Sequence, residues 1–212
     1  APLPGLMTHL ANADNPDDPL SDLQCQRLRA LAGPGQALNI GNSGGLIACP
    51  AARTAWVRPG IMLYGGSPFG SLSAAELDLK PVMTLQTQIS ATHHYRQGER
   101  IGYAGTFACP EDMPVGVAVI GYGDGYPRHA PTGTPVLVGG RRVALIGRVS
   151  MDSISLDLRQ APGARPGDEV ILWGQGLPVE EIAQSAGTIS YDLLCALGTR
   201  VRLHICGNVN RI

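Results

Sequence analysis

The hydrophobic pattern of the chain changes period near residue 80, and this change limits the possible folds more than any other feature. Before it, short apolar runs alternate with helix signals. Three runs are predicted to be strands: "GLMTH" (5–9), "ALNI" (37–40) and "WVRPGIMLYG" (56–65). The alternation of strands and helices predicts a parallel sheet covered by helices. Since a closed (β/α) barrel of this kind takes about 250 residues, the region would supply about three of its eight units.

Two helices are predicted between these strands. The first begins at a capping box formed by Ser21 and Gln24 and is ended by Gly33 and Pro34. The apolar stripe of this helix consists of Leu23, Leu28 and Leu31. The second helix, "PAARTA" (50–55), begins on a proline, which is favoured at the first helical position.

Beyond a stretch rich in glycine and serine (65–79), which predicts a linker, apolar residues alternate with polar ones. This alternation is typical of half-buried strands. One face of the first such strand carries Met83, Leu85, Thr87, Ile89 and Ala91. Two later strands flank Gly139 and Gly140, which predict a two-residue hairpin turn. Residues 178–197 predict a short helical insertion in a region that is otherwise all β.

The sequence therefore predicts an α+β fold with two domains. Residues 1–79 would form an incomplete parallel (β/α) barrel segment with its linker. Residues 80–212 would form an all-β barrel or sandwich. Because the first domain leaves an open sheet edge by itself, we expect the chain to lack the N-terminal part of a larger fold.

Composition argues against several functional classes. The 212 residues carry a net charge of −1 and have a pI near 6.6, which argues against a nucleic-acid or membrane-surface partner. The apolar runs are shorter than the roughly 18 residues of a spanning helix. No basic and apolar leader opens the sequence. The five cysteines are scattered without a CxxC pair, so we expect reduced thiols in a cytoplasmic protein and no metal site.

The helical insertion at 178–197 resembles a helix-turn-helix motif. A DNA-reading second helix would present basic or amide side chains, whereas this one carries Tyr191 and Asp192. The first basic residue after it is Arg200. The sequence therefore favours two packed helices over a DNA-binding element.

Two segments of the first region could hold a phosphate. "IGNSGG" (40–45) follows a strand directly, and Gly60 and Ile61 follow Arg58 in another. Backbone N–H groups at the carboxyl ends of parallel strands commonly bind phosphate in barrels. Arg58 would be a fixed cation at that end or one half of a salt bridge. His9 would face the same end or be a hydrogen-bonded core histidine.

Two glycine-rich loops of the second region carry tyrosines. "VIGYGDGYPRHAP" places Tyr122 and Tyr126 on either side of Asp124, and "RIGYAGTF" contains Tyr103. A turn requires glycine, aspartate and proline but not tyrosine. Asp124 and Asp152 could instead be a carboxylate pair of a glycosidase or a metal site.

Taken together, these segments resemble the C-terminal portion of the alanine racemase family. The resemblance follows family order along almost the whole chain and rests on "GLMTHLANAD", "GNSGG", "WVRPGIMLYG", "LKPVMTLQTQI", "IGYAGTF", "VIGYGDGYPR", "VGRVSMD" and "SYDLL". It implies the last barrel units followed by the C-terminal β domain. It also implies the interconversion of L- and D-alanine for peptidoglycan precursors, with pyridoxal 5'-phosphate as cofactor, in a homodimer with shared active sites.

The resemblance also implies roles for individual residues. Tyr103 matches the catalytic tyrosine that exchanges the α-proton, and His9 matches the histidine that contacts it. Arg58 matches the arginine bonded to the ring nitrogen of the cofactor. The residues that match the phosphate-binding positions are Ser43, Gly60, Ile61 and Tyr191.

The remaining positions concern the substrate. Met151 matches a residue whose backbone N–H binds the substrate carboxylate. Tyr122, with Asp152 close by, matches the substrate entrance. Tyr126 matches no functional position, and packing is its expected use.

Two functional groups of the family have no match, and one of them is an arginine that approaches the catalytic tyrosine from the upstream part of the barrel. The second acid/base is a lysine that also binds the cofactor covalently, but the single lysine of this chain, Lys80, lies in the segment that matches the interdomain stretch. Ala104 stands where the family often has glycine, and Asn39 where some members have histidine. We therefore expect a racemase fragment that is inactive alone. The alternative is a binding or dimerisation module without activity.

Overall fold

The computed structural model describes residues 4–206. The chain forms two compact units, which divide between Met83 and Thr84. Across the described residues, no helix is both long enough and apolar enough to cross a membrane.

The first unit contains three short parallel segments. Strands β1 (Leu6–Met7) and β2 (Leu38–Asn39) pair in parallel, and Asn39 forms an isolated parallel bridge to Trp56. The predicted parallel arrangement is thus present, but the predicted strand at 56–65 is wrong. Only Trp56 bridges, because Pro59 lacks an N–H for a ladder and the chain turns into a 3₁₀ helix at Ile61–Tyr64.

Helix α1 (Leu20–Leu31) follows Pro19, and the predicted capping box is wrong. Ser21 lies inside the first turn, and Gln24 instead accepts a hydrogen bond from Ala11 N–H (2.9 Å) and donates one to His9 O (3.2 Å). The predicted helix at 50–55 is reduced to a single 3₁₀ turn, Pro50–Ala52. The core beneath these elements consists of Leu10, Ala13, Cys25, Ile40, Cys49 and Ala52.

The stretch predicted to be a linker is folded where it begins. Residues 65–69 are buried, and Gly65 has a φ of 79°. A side chain at Gly65 would overlap the backbone carbonyl of Lys80, so only glycine fits this contact.

The second unit is a closed six-stranded barrel, which decides between the barrel and the sandwich. Its strands are β3 (Leu85–Tyr95), β6 (Met113–Ala118), β7 (Pro135–Val138), β8 (Arg141–Ile146), β9 (Ile154–Asp157) and β10 (Glu169–Trp173). They close in the order β10-β3-β6-β9-β8-β7 with antiparallel pairing throughout. The predicted hairpin is confirmed: β7 and β8 are joined by Gly139 (φ 54°) and Gly140 (φ 79°).

A small hairpin and two helices complete this unit. The hairpin pairs β4 (Arg100–Ile101) with β5 (Phe107–Ala108). Helices α3 (Val179–Ala186) and α4 (Ser190–Cys195) occupy the predicted insertion and share the barrel core through Ile182, Ala183 and Leu193. Within that core Tyr126 stacks on Trp173 with ring centroids 6.1 Å apart, so packing is the use of Tyr126.

Candidate active site

Arg58 is held by backbone carbonyl groups at the end of the parallel segments. Its Nη2 donates to Thr8 O (2.8 Å) and Ile40 O (3.3 Å), and its Nη1 donates to Asn39 O (3.1 Å) and to Asn39 Oδ1. Within residues 4–206 no carboxylate pairs with Arg58, so the salt-bridge alternative is wrong. These bonds use both terminal nitrogens and leave the Nε–H as the remaining donor.

Ser43 connects the two segments that the sequence singled out for phosphate binding. It is the first residue of helix α2 (Ser43–Ala48), which the sequence analysis did not predict, and Asn42 caps this helix by accepting from Gly45 N–H (2.9 Å). The buried Ser43 Oγ accepts hydrogen bonds from Gly60 N–H (2.8 Å) and Met62 N–H (3.4 Å). Its own hydroxyl proton is therefore free to be donated to a ligand.

Glycine in this loop has a packing reason in addition to any role in binding. A Cβ at Gly44 would lie 2.5 Å from Ala13 O, and one at Gly45 would lie 2.5 Å from a methyl group of Leu10. At Gly60, by contrast, a Cβ would meet no atom within 4 Å. The space beside Gly60 is therefore open.

His9 lies just beyond β1 and is exposed, so the alternative of a core histidine is wrong. Its neighbour Thr8 supplies one of the carbonyl groups that hold Arg58. Ile61 opens its 3₁₀ helix, where N–H groups lack partners inside the helix. The first unit thus brings together Arg58, Ser43, Gly60 and Ile61 around the ends of the parallel segments.

In the second unit Tyr103 is presented on a tight turn between β4 and β5. Its side chain is 70% exposed. Gly102 (φ 75°) and Gly105 (φ 54°) adopt left-handed conformations on either side, and so does Ala104 (φ 59°). A left-handed non-glycine residue costs roughly 1–2 kcal/mol, so Ala104 stores strain next to Tyr103. Arg100 braces the turn by donating to Gly105 O (2.9 Å).

Tyr122 and Met151 lie on two hydrogen-bonded loops. Tyr122 N–H donates to Ser150 O (3.0 Å), and Gly123 N–H donates to Met151 O (2.9 Å). Tyr122 is 39% exposed and Met151 is 51% exposed. Asp124 stabilises its own loop by accepting from Gly121 N–H (2.9 Å).

The carboxylate-pair alternative for Asp124 and Asp152 is wrong, because Arg200 pairs with both. Arg200 Nε lies 3.3 Å from Asp124 Oδ1, and its Nη2 bonds Asp152 Oδ1. Each of the two carboxylates therefore has Arg200 as its partner.

Two family models match the chain in sequence. The N-terminal domain of alanine racemase matches residues 1–68, and the C-terminal domain of alanine racemase matches residues 82–205. The second match alone covers more than half of the chain. The chain belongs to the alanine racemase family.

Individual alanine racemases agree with this assignment. The protein of Nitrosococcus oceani is 56% identical over 197 residues, covering 93% of this chain and 55% of the relative. The crystal structure of the biosynthetic alanine racemase from Pseudomonas aeruginosa superposes with a TM-score of 0.88 at 46% identity, covering 93% of this chain and 55% of that one. A crystal structure of the Bartonella henselae alanine racemase with covalently bound pyridoxal phosphate gives a TM-score of 0.81 at 30% identity over 92% and 54%.

The predicted alanine racemase resemblance is thereby confirmed, together with a fold that combines part of the N-terminal barrel domain with the C-terminal β domain. The chain spans about half the length of the curated relatives it matches.

Sequence reasoning missed two side chains of the racemase β domain. In the sequence Arg200 stands out only as the first basic residue after the helices. Arg128 lies with its Cζ 6.0 Å from the centre of the Tyr122 ring, a distance that allows a cation–π contact. The Arg200 contact has no local sequence signal, because Asp152 lies 48 residues away, whereas Arg128 follows Tyr122 in the same loop and could have been noticed there.

Proposed function

We propose that this chain supplies the cofactor-anchoring arginine and the catalytic tyrosine of a pyridoxal 5'-phosphate-dependent alanine racemase. The proposal depends above all on Arg58. Its guanidinium is held by three backbone carbonyls and Asn39 Oδ1, with Nε–H left over as a donor. A pyridine nitrogen is an acceptor that this donor would suit.

The donors around Ser43 fit the phosphate of the same cofactor. The Ser43 hydroxyl proton, the N–H of Ile61 and the open space beside Gly60 lie on neighbouring segments. Phosphate prefers such clusters of N–H and O–H donors. Tyr191, at the start of α4 in the second unit, is proposed as a further phosphate-binding residue because it matches that family position.

The cofactor, when bound, withdraws electrons from the α-carbon of the amino acid so that its proton can leave. Arg58 would moderate this effect, because an arginine that keeps its proton would leave the ring nitrogen unprotonated. Tyr103 would hold or deliver the α-proton on one face through its hydroxyl. His9 is proposed as the second catalytic residue, because it matches a catalytic position of the family.

The second unit would bind the substrate. In a trans peptide the C=O and N–H point in opposite directions. Because Ser150 O accepts from Tyr122 N–H, the Met151 N–H of the same peptide points away from the Tyr122 loop, where a carboxylate could accept from it. Tyr122 and Asp152 would border the entrance for alanine.

We also propose a homodimer with shared active sites. Tyr103, Tyr122 and Met151 are large exposed side chains on one unit, as expected if they meet another chain. The domain limits 1–79 and 80–212, and the assignment of the first to the last barrel units, belong to the same proposal.

The second candidate is a binding or dimerisation module without activity, and Lys80 favours it. The only lysine of the chain is exposed in the segment that follows the buried stretch 65–69. It does not take part in the Arg58 and Ser43 network. Because its only lysine lies in this segment, the chain alone would not bind the cofactor covalently.

A replacement chimera distinguishes the two candidates. In it, this chain replaces the region that it matches in the Pseudomonas aeruginosa racemase. We expect the chimera to racemise alanine and to absorb near the wavelength of the parent enzyme after addition of pyridoxal phosphate, whereas the chain alone does neither. Racemisation by the chain alone, abolished by Lys80→Ala, would contradict the proposal, and an inactive folded chimera would favour the module.

Arg58 can be tested in the same chimera against a matched arginine. Arg53 likewise donates to backbone carbonyls, Leu46 O (2.9 Å) and Ile47 O (3.1 Å), but it is exposed. We expect Arg58→Lys to weaken pyridoxal phosphate binding at least about tenfold, since lysine cannot reproduce the fixed fork of donors. Arg53→Lys should bind as the parent does in an absorbance titration.

A further inference from the structure

Arg200 links the two loops that carry Tyr122 and Met151. Its Nε faces Asp124, two residues after Tyr122, and its Nη2 bonds Asp152, the residue after Met151. The third guanidinium nitrogen lies over Gly123, where a Cβ would come within 2.5 Å of Nη1. One side chain therefore contacts both loops, and a glycine leaves the space for it.

The same two loops are joined by backbone hydrogen bonds. Two bonds form a short ladder between them: Tyr122 N–H donates to Ser150 O, and Gly123 N–H donates to Met151 O. The first of these bonds sets the plane of the Ser150–Met151 peptide, and thereby the direction of the Met151 N–H. Any shift between the loops would reorient the Met151 N–H and the Tyr122 ring together.

We propose that Arg200 is a positioning residue for the substrate, which keeps the Tyr122 loop and the Met151 peptide in a fixed relation. The proposal rests on the proposed function, because it takes the Met151 N–H and Tyr122 as substrate-binding groups. Arg200 acts only through Asp124 and Asp152. Its loss should therefore change substrate binding more than proton transfer.

The geometry requires arginine at this position. A guanidinium presents donors on separate nitrogens in a fixed plane and can bind two carboxylates at once, whereas an ammonium group is a point charge on a flexible stem. Exposed ion pairs contribute little to global stability, and Arg200 is itself exposed. The effect of Arg200 should therefore appear in the two loops and not in the unfolding of the barrel.

The first test uses the whole chain without cofactor. We expect Arg200→Met to raise the hydrogen-exchange rates of the Tyr122 and Gly123 amides at least about tenfold, while the amides of β3 and β6 are unchanged. Arg202→Met is the matched control, since Arg202 is exposed and forms no ion pair within the described residues. Equal exchange in both variants overturns the proposal.

A second variant separates the position of Arg200 from its charge. Gly123 has no left-handed φ, so alanine is compatible with its backbone. The new methyl group would displace the Arg200 guanidinium, since it would lie 2.5 Å from Nη1, and it would also make a tight contact of 3.1 Å with Met151 O. Gly123→Ala should accelerate exchange at Tyr122 in the same way. Wild-type exchange in this variant would show that the observed position of Arg200 is not needed.

The second test measures steady-state kinetics in the replacement chimera. We expect Arg200→Met to raise KM for alanine at least about tenfold and to lower kcat less than about threefold, with partial rescue by Arg200→Lys. An unchanged KM, or an equal loss in kcat, overturns the proposal. If the unsubstituted chimera does not racemise alanine, the proposed function fails, and hydrogen exchange alone then decides whether Arg200 joins the loops.

Discussion

The two units hold their functional groups by different means. In the first, Arg58 and Ser43 are fixed by hydrogen bonds to the backbone, at the ends of parallel segments that are only one or two residues long. In the second, a closed barrel leaves Tyr103, Tyr122 and Met151 exposed on tight loops. Among the described residues, the first unit has a local hydrogen-bond network without a closed sheet, and the second has a closed sheet that leaves the Tyr103 ring exposed.

This difference suggests a division of roles. A cation that anchors a ligand must not move, and four hydrogen bonds to Arg58 meet that need. A residue that transfers a proton must reach the substrate, and an exposed ring on a braced turn meets that need. We therefore propose that the first unit anchors the ligand and that the second transfers the proton.

The largest effect expected from this division concerns the two tyrosines. In the replacement chimera, Tyr103→Phe should fold normally but lose at least about a hundredfold in turnover, because general acid/base groups contribute about 10²–10⁴-fold. Tyr122→Phe should raise KM more than it lowers kcat, since a residue at the entrance transfers no proton. Steady-state kinetics and circular dichroism measure both.

Isotope exchange distinguishes proton transfer on the two faces of the α-carbon. In Tyr103→Phe, solvent deuterium should still enter alanine from the lysine face, while exchange on the opposite face slows. If Tyr103→Phe kept near-normal turnover and Tyr122→Phe abolished it, the two loops would have exchanged roles. Proton transfer would then be assigned to the Tyr122 loop of the second unit and not to the Tyr103 turn.

The sequence predicted the second unit better than the first, for physical reasons. Alternation of apolar residues and the Gly139-Gly140 turn are local signals, and both correctly indicated antiparallel strands. The run at 56–65 is equally apolar, but Pro59 and Gly60 prevent it from continuing as a strand. Ser21 and Gln24 have the spacing of a capping box, yet the Gln24 side chain forms hydrogen bonds with His9 and Ala11, which lie outside the helix.

The candidate site was predictable only where the family pattern marks it. Ser43, Arg58 and Gly60 do lie together, as the pattern implied. Asn39, noted only as a departure from the family, turns out to hold Arg58 through both its carbonyl and its side chain. Arg200 could not have been found, because its partner Asp152 lies 48 residues away and no periodic signal connects them.

An effect of intermediate size is expected in local stability, where the second unit should be more stable than the first. The barrel has paired strands on every side, whereas β2 and the bridge at Trp56 pair over one or two residues. Open edges and short ladders exchange faster. Amides in 82–92 and 115–121 should therefore exchange more slowly than those in 37–40 and 56–65, as measured by native-state hydrogen exchange. Faster exchange in the barrel would contradict the assignment of the first unit as the weaker one.

The smallest effect concerns a thiol in the core of the first unit. Burial first, and then the hydrogen bond to Asp22 (3.2 Å) and the nearby Cys25, together raise the pKa of Cys49 to about 11. Cys49 and Cys25 have sulfur atoms 3.9 Å apart. A thiol of an unfolded chain has a pKa of about 8.5. Between these two pKa values the unfolded chain loses a proton that the folded chain retains.

The free energy of unfolding should therefore be independent of this thiol below about pH 8 and should fall as the pH rises from about 8.5 towards 11. A pKa difference of one between the folded and unfolded chains corresponds to about 1.4 kcal/mol, so the total fall is at most about 3.5 kcal/mol. Cys49→Ala should remove this fall, whereas Cys195→Ala, at an exposed position of the second unit, should keep it. Urea denaturation from about pH 7 to about pH 10.5, followed by circular dichroism, measures the difference. If the free energy of unfolding of Cys49→Ala fell with pH as much as that of the unsubstituted chain, the alkaline sensitivity would arise outside the core of the first unit. The two units would then not differ in this property.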